Sequence, residues 1–202
     1  WDRSEKALTA ALEEKSIPFT VQAGEGAFYG PKHEFVLRDS IGRRWQCGTI
    51  QLDFSMPGRL GAEYVAADGT KRVPVMIHRA ILGSLERFIG ILIEDTEGKL
   101  PAWLSPVQLI VCNIGPNQRE YALSVQKHLK NHNLRVQCDL RNEKIGYKIR
   151  QATLRRIPFI LVVGDKEKGV ESVSVRTQDG TDLGSIDLDR VATALPGLSL
   201  KH

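Results

Sequence analysis

The chain has 202 residues, 42% of them hydrophobic and 26% charged, with 18 glycines, 9 prolines and three cysteines; this is the make-up of a globular protein with one large or two small cores, and it excludes a disordered, collagenous or disulfide-framed chain. No apolar run approaches the roughly 20 residues of a membrane-spanning helix, and Trp1 to Lys6 carries no apolar signal segment, so a cytoplasmic location is the default expectation. The formal net charge of +4 is uneven: residues 1–105 carry 13 basic against 14 acidic side chains and residues 106–202 carry 15 against 10, which assigns the basic surplus, and any affinity for a polyanion, to the second half.

In chain order, Ala7, Leu8, Ala11 and Leu12 recur at helical spacing and predict a helix over Trp1 to Lys15, ended by Ser16-Ile17-Pro18. A strand at Phe19 to Gln22 is expected next, then a loop, because Gly24 to Lys32 holds three glycines and a proline within eight residues. His33 to Asp39 and Arg44 to Phe54 alternate polar and apolar residues, as antiparallel strands with one wet face do, with Ile41-Gly42 as the turn between them. Asp68-Gly69 marks a second turn, Val73 to His78 a strand, and Ala80 to Glu94 a long buried helix with an apolar stripe at Ile81, Leu85, Phe88, Ile89 and Leu92.

Two prolines between Leu100 and Pro106 set the expected domain break, giving domains 1–105 and 106–202. Beyond it the rhythm changes to an apolar run at Val107 to Ile114, a helix at Asn117 to Asn131, a strand at Leu134 to Leu140 and a helix at Ile145 to Arg155. A second apolar run at Pro158 to Val163 follows, then a strand at Val173 to Thr177, a turn at Asp179-Gly180 and a last helix at Asp187 to Leu195. Strands alternating with helices imply a compact α/β/α domain on a mixed, mostly parallel sheet, after an antiparallel sheet with helices in the first domain. Cys47, Cys112 and Cys138 are too widely spaced for a CxxC motif and read as reduced thiols. Lys201-His202 is open to reading as native sequence or as a tag remnant.

Three segments carry residues with chemistry to perform. On a strand of period two, Cys47, Thr49 and Gln51 share one face and Gln46, Gly48, Ile50 and Leu52 the other, unless a bulge at Gly48 shifts the phase; a simply solvated face is the alternative. Glu86 and Arg87 interrupt an apolar helix, where a guanidinium needs a carboxylate, a phosphate or an aromatic plane. His78 stands alone at a strand end, with no second His or Cys at metal-ligand spacing. In the second half, residues 141–156 hold six basic residues against one acid; with Ile145, Ile149 and Ala152 facing the sheet, Lys144, Lys148 and Arg155 would line an exposed edge that follows a phosphate backbone, or would simply be solvated.

Taken together and in order, Gly24-Glu25-Gly26-Ala27-Phe28-Tyr29-Gly30-Pro31-Lys32, Gln46 to Phe54, Pro74 to Arg87, Asp139 to Gly146 and Val163 to Glu167 resemble one family over essentially the whole chain: threonyl-tRNA synthetase of the bacterial type, a class II aminoacyl-tRNA synthetase. The resemblance implies the C-terminal part of a catalytic core, including motif 3, followed by an anticodon-binding domain. It implies ATP-dependent activation of threonine and transfer to tRNA(Thr), with Mg²⁺ accompanying ATP. Arg87 matches the motif 3 arginine beside the γ-phosphate and adenine, and Gln46 and Thr49 match positions lining ATP. Tyr29 and Gln51 match positions near threonine, with Lys32 beside them and Ser84 in the same block. His78 matches one of three protein ligands of a Zn²⁺ ion, which would reject valine for want of a hydroxyl. Asn142, Glu167 and Arg176 match positions that read anticodon bases, and Arg141 and Lys144 belong to the same surface.

Against the family pattern, Ala80, Leu82 and Ser84 replace motif 3 glycines, and Gly58 stands where a polar residue is expected. Motifs 1 and 2, the other zinc ligands and the editing domain are absent, and the chain has no initiator Met, so the expectation is a fragment inactive alone, from an enzyme that is a homodimer at full length. The rival readings are a class II synthetase for histidine, proline or glycine, and a non-catalytic RNA-binding module.

Overall fold

A computed structural model describes residues 1–198, and these form two compact units that divide between Asp95 and Thr96. Lys201 and His202 lie outside the described residues. The proline-interrupted segment near Pro101 belongs to the second unit for a physical reason. Arg135 donates to the carbonyls of Ala102, Trp103 and Ser105 at 3.3, 2.7 and 2.9 Å, and Ala102 is buried in that unit's core.

In the first unit, α1 (Asp2–Glu14) precedes a three-stranded antiparallel sheet of β1 (Lys32–Arg38), β2 (Arg44–Asp53) and β5 (Met76–Ala80), with β2 in the middle. Between β2 and β5 lie the short helix α2 (Met56–Arg59) and a two-stranded ribbon, β3 (Tyr64–Val65) and β4 (Lys71–Arg72); α3 (Leu85–Asp95) follows β5. The turn from β1 to β2 is built by Asp39, whose carboxylate accepts the Ile41 and Arg43 amides while Gly42 takes φ +84°.

Two expectations fail here. Phe19–Gln22 forms no strand: it joins no ladder, and Phe19 and Val21 stay exposed. The helix expected from Ala80 begins only at Leu85, because β5 runs through Ala80 and the chain then bends at Gly83, which takes φ +70° close to the Cys47 carbonyl. Nor is α3 buried; Leu85, Ile89 and Ile93 are about half exposed. Apolar periodicity marks a face suited to burial, and among the described residues of this unit nothing covers it.

The second unit carries both clusters of buried apolar side chains. Its elements are β6 (Leu109–Asn113), α4 (Arg119–Asn131), β7 (Val136–Asp139), α5 (Ile145–Leu154), β8 (Phe159–Val163), α6 (Asp165–Gly169), β9 (Ser172–Thr177), β10 (Asp182–Asp187) and α7 (Val191–Ala194). The sheet order is β10-β9-β8-β6-β7, with β6, β7 and β8 parallel and β9 and β10 antiparallel, a mixed sheet as the alternation implied. Alternate residues of the apolar strands face opposite sides. Leu109, Val111, Leu161 and Val163 pack with Ala122, Val125 and Leu129 of α4 and Val191 of α7, whereas Ile110, Cys112, Ile160 and Val162 pack with Ala152 of α5.

The expected helix from Asp187 to Leu195 is instead the end of β10, one 3₁₀ turn and the four-residue α7. Asp182–Asp187 escaped the strand pattern because it contains Gly184, at φ +78° in a bulge, with Asp and Ser around it; pairing with β9 overrides those weak propensities.

Candidate functional site

The first candidate site lies on one face of the antiparallel sheet, and a β-bulge creates it. Phe35 pairs with Gly48 but Val36 pairs with Gln46, so Cys47 is the extra residue and the period-two phase of β2 slips there. Gln46 therefore shares its face with Thr49 and Gln51, whereas unbroken alternation would set them apart. Register carries the face across the sheet: Gln51 stands between Lys32 on β1 and His78 on β5. Lys32 is paired with Glu34, and Tyr29 lies edge-on to His78 with ring centres 6.4 Å apart.

Behind His78 stands Asp53, a residue that sequence reasoning passed over although it shares the face of Gln51. It is 1% exposed; its Oδ2 meets His78 Nε2 at 2.9 Å, and its Oδ1 accepts the Ser55 and Met56 amides at 2.8 and 3.0 Å. The bonds from the Met56 amide and the His78 ring hold its carboxyl below the ordinary range, against burial. His78 thus has Nε2 on a carboxylate and a side chain 44% exposed, and a histidine oriented in this way could offer its other ring nitrogen to a metal. No group of three metal-ligating side chains occurs among the described residues. Tyr29, His78, Asp53, Met56 and Arg59 line a cavity of about 250 Å³.

Arg87, in the first turn of α3, donates to the Gln46 carbonyl at 3.0 Å and lies 5.8 Å over the Trp45 ring, so its partners are a carbonyl and an aromatic plane rather than a neighbouring glutamate. Ser84 serves this helix end: its hydroxyl donates to Glu86 at 2.7 Å and accepts the Arg87 amide at 3.4 Å. Trp45 is itself fixed by Asp39, which accepts its indole N–H at 2.9 Å together with the Arg43 side chain. Burial pushes the Asp39 carboxyl up, but the bonds from Trp45 and Arg43 outweigh it and bring it from 3.8 to about 2. A carboxyl depressed on folding contributes stability that is present above its unfolded value and lost as pH falls through the folded one. Urea midpoints of the wild type are therefore expected to drop between about pH 4 and 2, and Asp39→Asn should be less stable near neutrality with a flatter acid limb; parallel acid limbs would contradict this.

The second candidate site lies at the C-terminal ends of the parallel strands, where open α/β sheets bind ligands. Arg141 chelates Asp139, with Nε and Nη2 at 2.9 and 2.6 Å, and its guanidinium lies 5.6 Å from the Tyr147 ring centre. Asn142 and Lys144 are exposed on the loop into α5, and Arg155 extends the basic surface while holding Gln137 at 2.8 Å. Glu167 opens α6 as a capping residue, accepting the Gly164 amide and the Ser174 hydroxyl at 2.9 and 2.8 Å. Arg176 stands apart: it is in register with Ile160, near the start of β8, and pairs with Asp182 at 2.8 Å. Lys148 corrects the sequence reading most sharply, being 1% exposed rather than on the basic edge.

These two sites coincide with two family models. Residues 4–96 match the tRNA synthetase class II core domain (G, H, P, S and T), and residues 108–198 match an anticodon binding domain. A class II synthetase core followed by an anticodon-binding domain is thus the class that fold and sites define. Threonine--tRNA ligase of Teredinibacter turnerae is 60% identical over 195 residues, covering 96% of this chain and 31% of that one. The Alkalilimnicola ehrlichii enzyme of the same name is 61% identical over 189 residues, covering 94% and 30%. The crystal structure of the RNA binding domain of threonyl-tRNA synthetase from Cryptosporidium parvum superposes with a TM-score of 0.88 at 40% identity, over 94% of this chain and 48% of that one. The chain thus carries a class II synthetase core domain followed by an anticodon-binding domain, is similar throughout to threonine--tRNA ligases, and spans about 30% of the length of the curated relatives it matches.

Proposed function

We propose that this chain serves the formation of threonyl-tRNA: its first unit supplies part of the site where threonine and ATP react, and its second unit binds the anticodon of tRNA(Thr). The observation that carries the reading is the bulge at Cys47, which brings Gln46 onto the face that strand register already gives to Thr49, Gln51, Lys32 and His78. On that face Gln46, Thr49 and Arg87 would hold ATP, Arg87 with a charge for the phosphates and a plane for the adenine. Tyr29, Gln51 and Ser84 would hold threonine, with Lys32 near the transferred acyl group. His78, kept in one orientation by Asp53, would give one ligand to a zinc ion completed by residues beyond these 202, and such an ion supplies coordination for the amino and hydroxyl groups of threonine. Mg²⁺ would accompany ATP. Asn142, Glu167 and Arg176 would read bases of the splayed anticodon, and Arg141 and Lys144 would hold its phosphates. Cytoplasmic location and a full-length homodimer belong to the same proposal.

Two measurements test it. Fluorescence anisotropy of the 202-residue chain should detect binding of a tRNA(Thr) anticodon stem-loop, weakening with salt and weaker still for a loop with one anticodon base replaced; equal binding of both loops would refute anticodon reading. Threonine-dependent pyrophosphate exchange should be undetectable, since these residues offer one arginine clamp and one zinc ligand, and measurable exchange would refute that division of labour.

A further inference from the structure

Lys148 is the largest of the fully buried side chains, and its place on α5 explains why. Residues 145, 148, 149 and 152 fall on one side of a helix, and Ile145, Ile149 and Ala152 do pack against the sheet. A methionine or leucine would fill the same space without the desolvation that a buried ammonium suffers. The three N–H donors of Lys148 instead meet three oxygens: the Asn113 carbonyl and Oδ1, both at 2.9 Å, and the Asp139 carbonyl at 3.1 Å. Those carbonyls end the adjacent parallel strands β6 and β7.

From this point two chains of bonds run outward. Asn113 Nδ2 donates to the Gly115 carbonyl at 2.6 Å, and the Gly115 amide donates to Gln118 Oε1 at 2.8 Å. Gln118 Nε2 then donates to Asp165, in the first turn of the helix that carries Glu167. In the other direction Asp139 binds the Arg141 amide and guanidinium, and Arg141 lies over Tyr147, so the loop bearing Asn142 is strapped to the helix beside Lys148.

We propose that Lys148 is a positioning residue for RNA recognition: it fixes the loop after β7, with Asn142, relative to the β6 and β8 loops, with Glu167, and so sets discrimination among bases without touching RNA. The inference rests on the anticodon reading above. Lys148→Met keeps the length of the side chain and removes its donors. In the 202-residue chain its ratio of affinities for the cognate stem-loop and the base-replaced loop should fall about five- to ten-fold, while the slope of log Kd against log salt stays that of the wild type, because no phosphate contact is lost. Unchanged discrimination in a folded Lys148→Met variant would overturn the inference alone, as would a slope reduced by about one, the mark of a lysine on a phosphate. A wild type that binds both loops alike would overturn the anticodon reading and this inference with it. Where circular dichroism finds Lys148→Met unfolded, Asn113→Ser decides, since it cuts the arm toward Glu167 and removes one acceptor of Lys148 while leaving the lysine on the two backbone carbonyls: lost discrimination supports the inference and full discrimination overturns it.

Discussion

Replacing Gly30 by alanine is expected to destabilise the first unit by about 3 kcal/mol or more, combining overpacking with the strain on two backbone hydrogen bonds. A Cβ on Gly30 would stand 2.1 Å from the Leu52 carbonyl oxygen and 2.8 Å from its carbon, in the middle strand of the sheet. Neither atom can rotate away, so residues 29–31 must lift from β2. Lifting strains the bonds that the Leu52 and Phe54 amides make to the Pro31 and Tyr29 carbonyls, both 3.1 Å. It also carries Tyr29 away from His78. Hydrogen exchange reads this directly: the Leu52 and Phe54 amides should lose protection in Gly30→Ala, and should keep it in Gly90→Ala, on α3, where the added Cβ meets no atom within 4 Å. Equal protection in both variants would contradict the account.

The second large effect belongs to the other unit. Leu161 is fully buried in the middle of β8, between β6 and β9. Truncation to alanine removes its contacts and leaves a cavity, for about 3 to 5 kcal/mol; a unit of this size then melts roughly 15 °C lower. Leu154 is 63% exposed on α5, and its truncation should change stability by less than about 0.5 kcal/mol. Calorimetry of the two variants measures both numbers. Similar losses in the two would mean that the sheet is not the core of this unit.

The contrast between these leucines shows what the sequence makes legible. A near-continuous apolar run such as Phe159 to Val163 is too short for a typical helix and fits a strand covered on both faces, and the alternation of such runs with helical patterns points to the mixed sheet. Lys148 was misplaced: its charge set it on the exposed edge, and the structure buries it. Helical spacing sets it on the buried face with Ile145, Ile149 and Ala152, charge argues for the surface, and only the meeting of two strand ends with Asn113 supplies the three acceptors that settle the conflict. The bulge at Cys47 left one trace in the sequence, Gly48, because a slip of phase depends on which residue of β1 each residue of β2 faces. Asp53 was hidden for a related reason: a polar residue at a strand end says little until its amide donors and His78 converge on it. Recognition of the family rested on long blocks rather than on single residues, and those blocks gave the order of the two units without giving the geometry inside them.

Amide chemical-shift mapping of the 202-residue chain against a tRNA(Thr) anticodon stem-loop separates an RNA-binding second unit from a nucleotide- and amino-acid-binding first unit. Perturbations are expected at residues 141–144, at Gly164 to Glu167 and at Arg176, with the sheet face of Gln46, Gln51 and His78 unchanged by RNA and responding to ATP or threonine instead. Perturbations centred on that sheet face, or spread evenly over the basic surface of α5, would contradict that division.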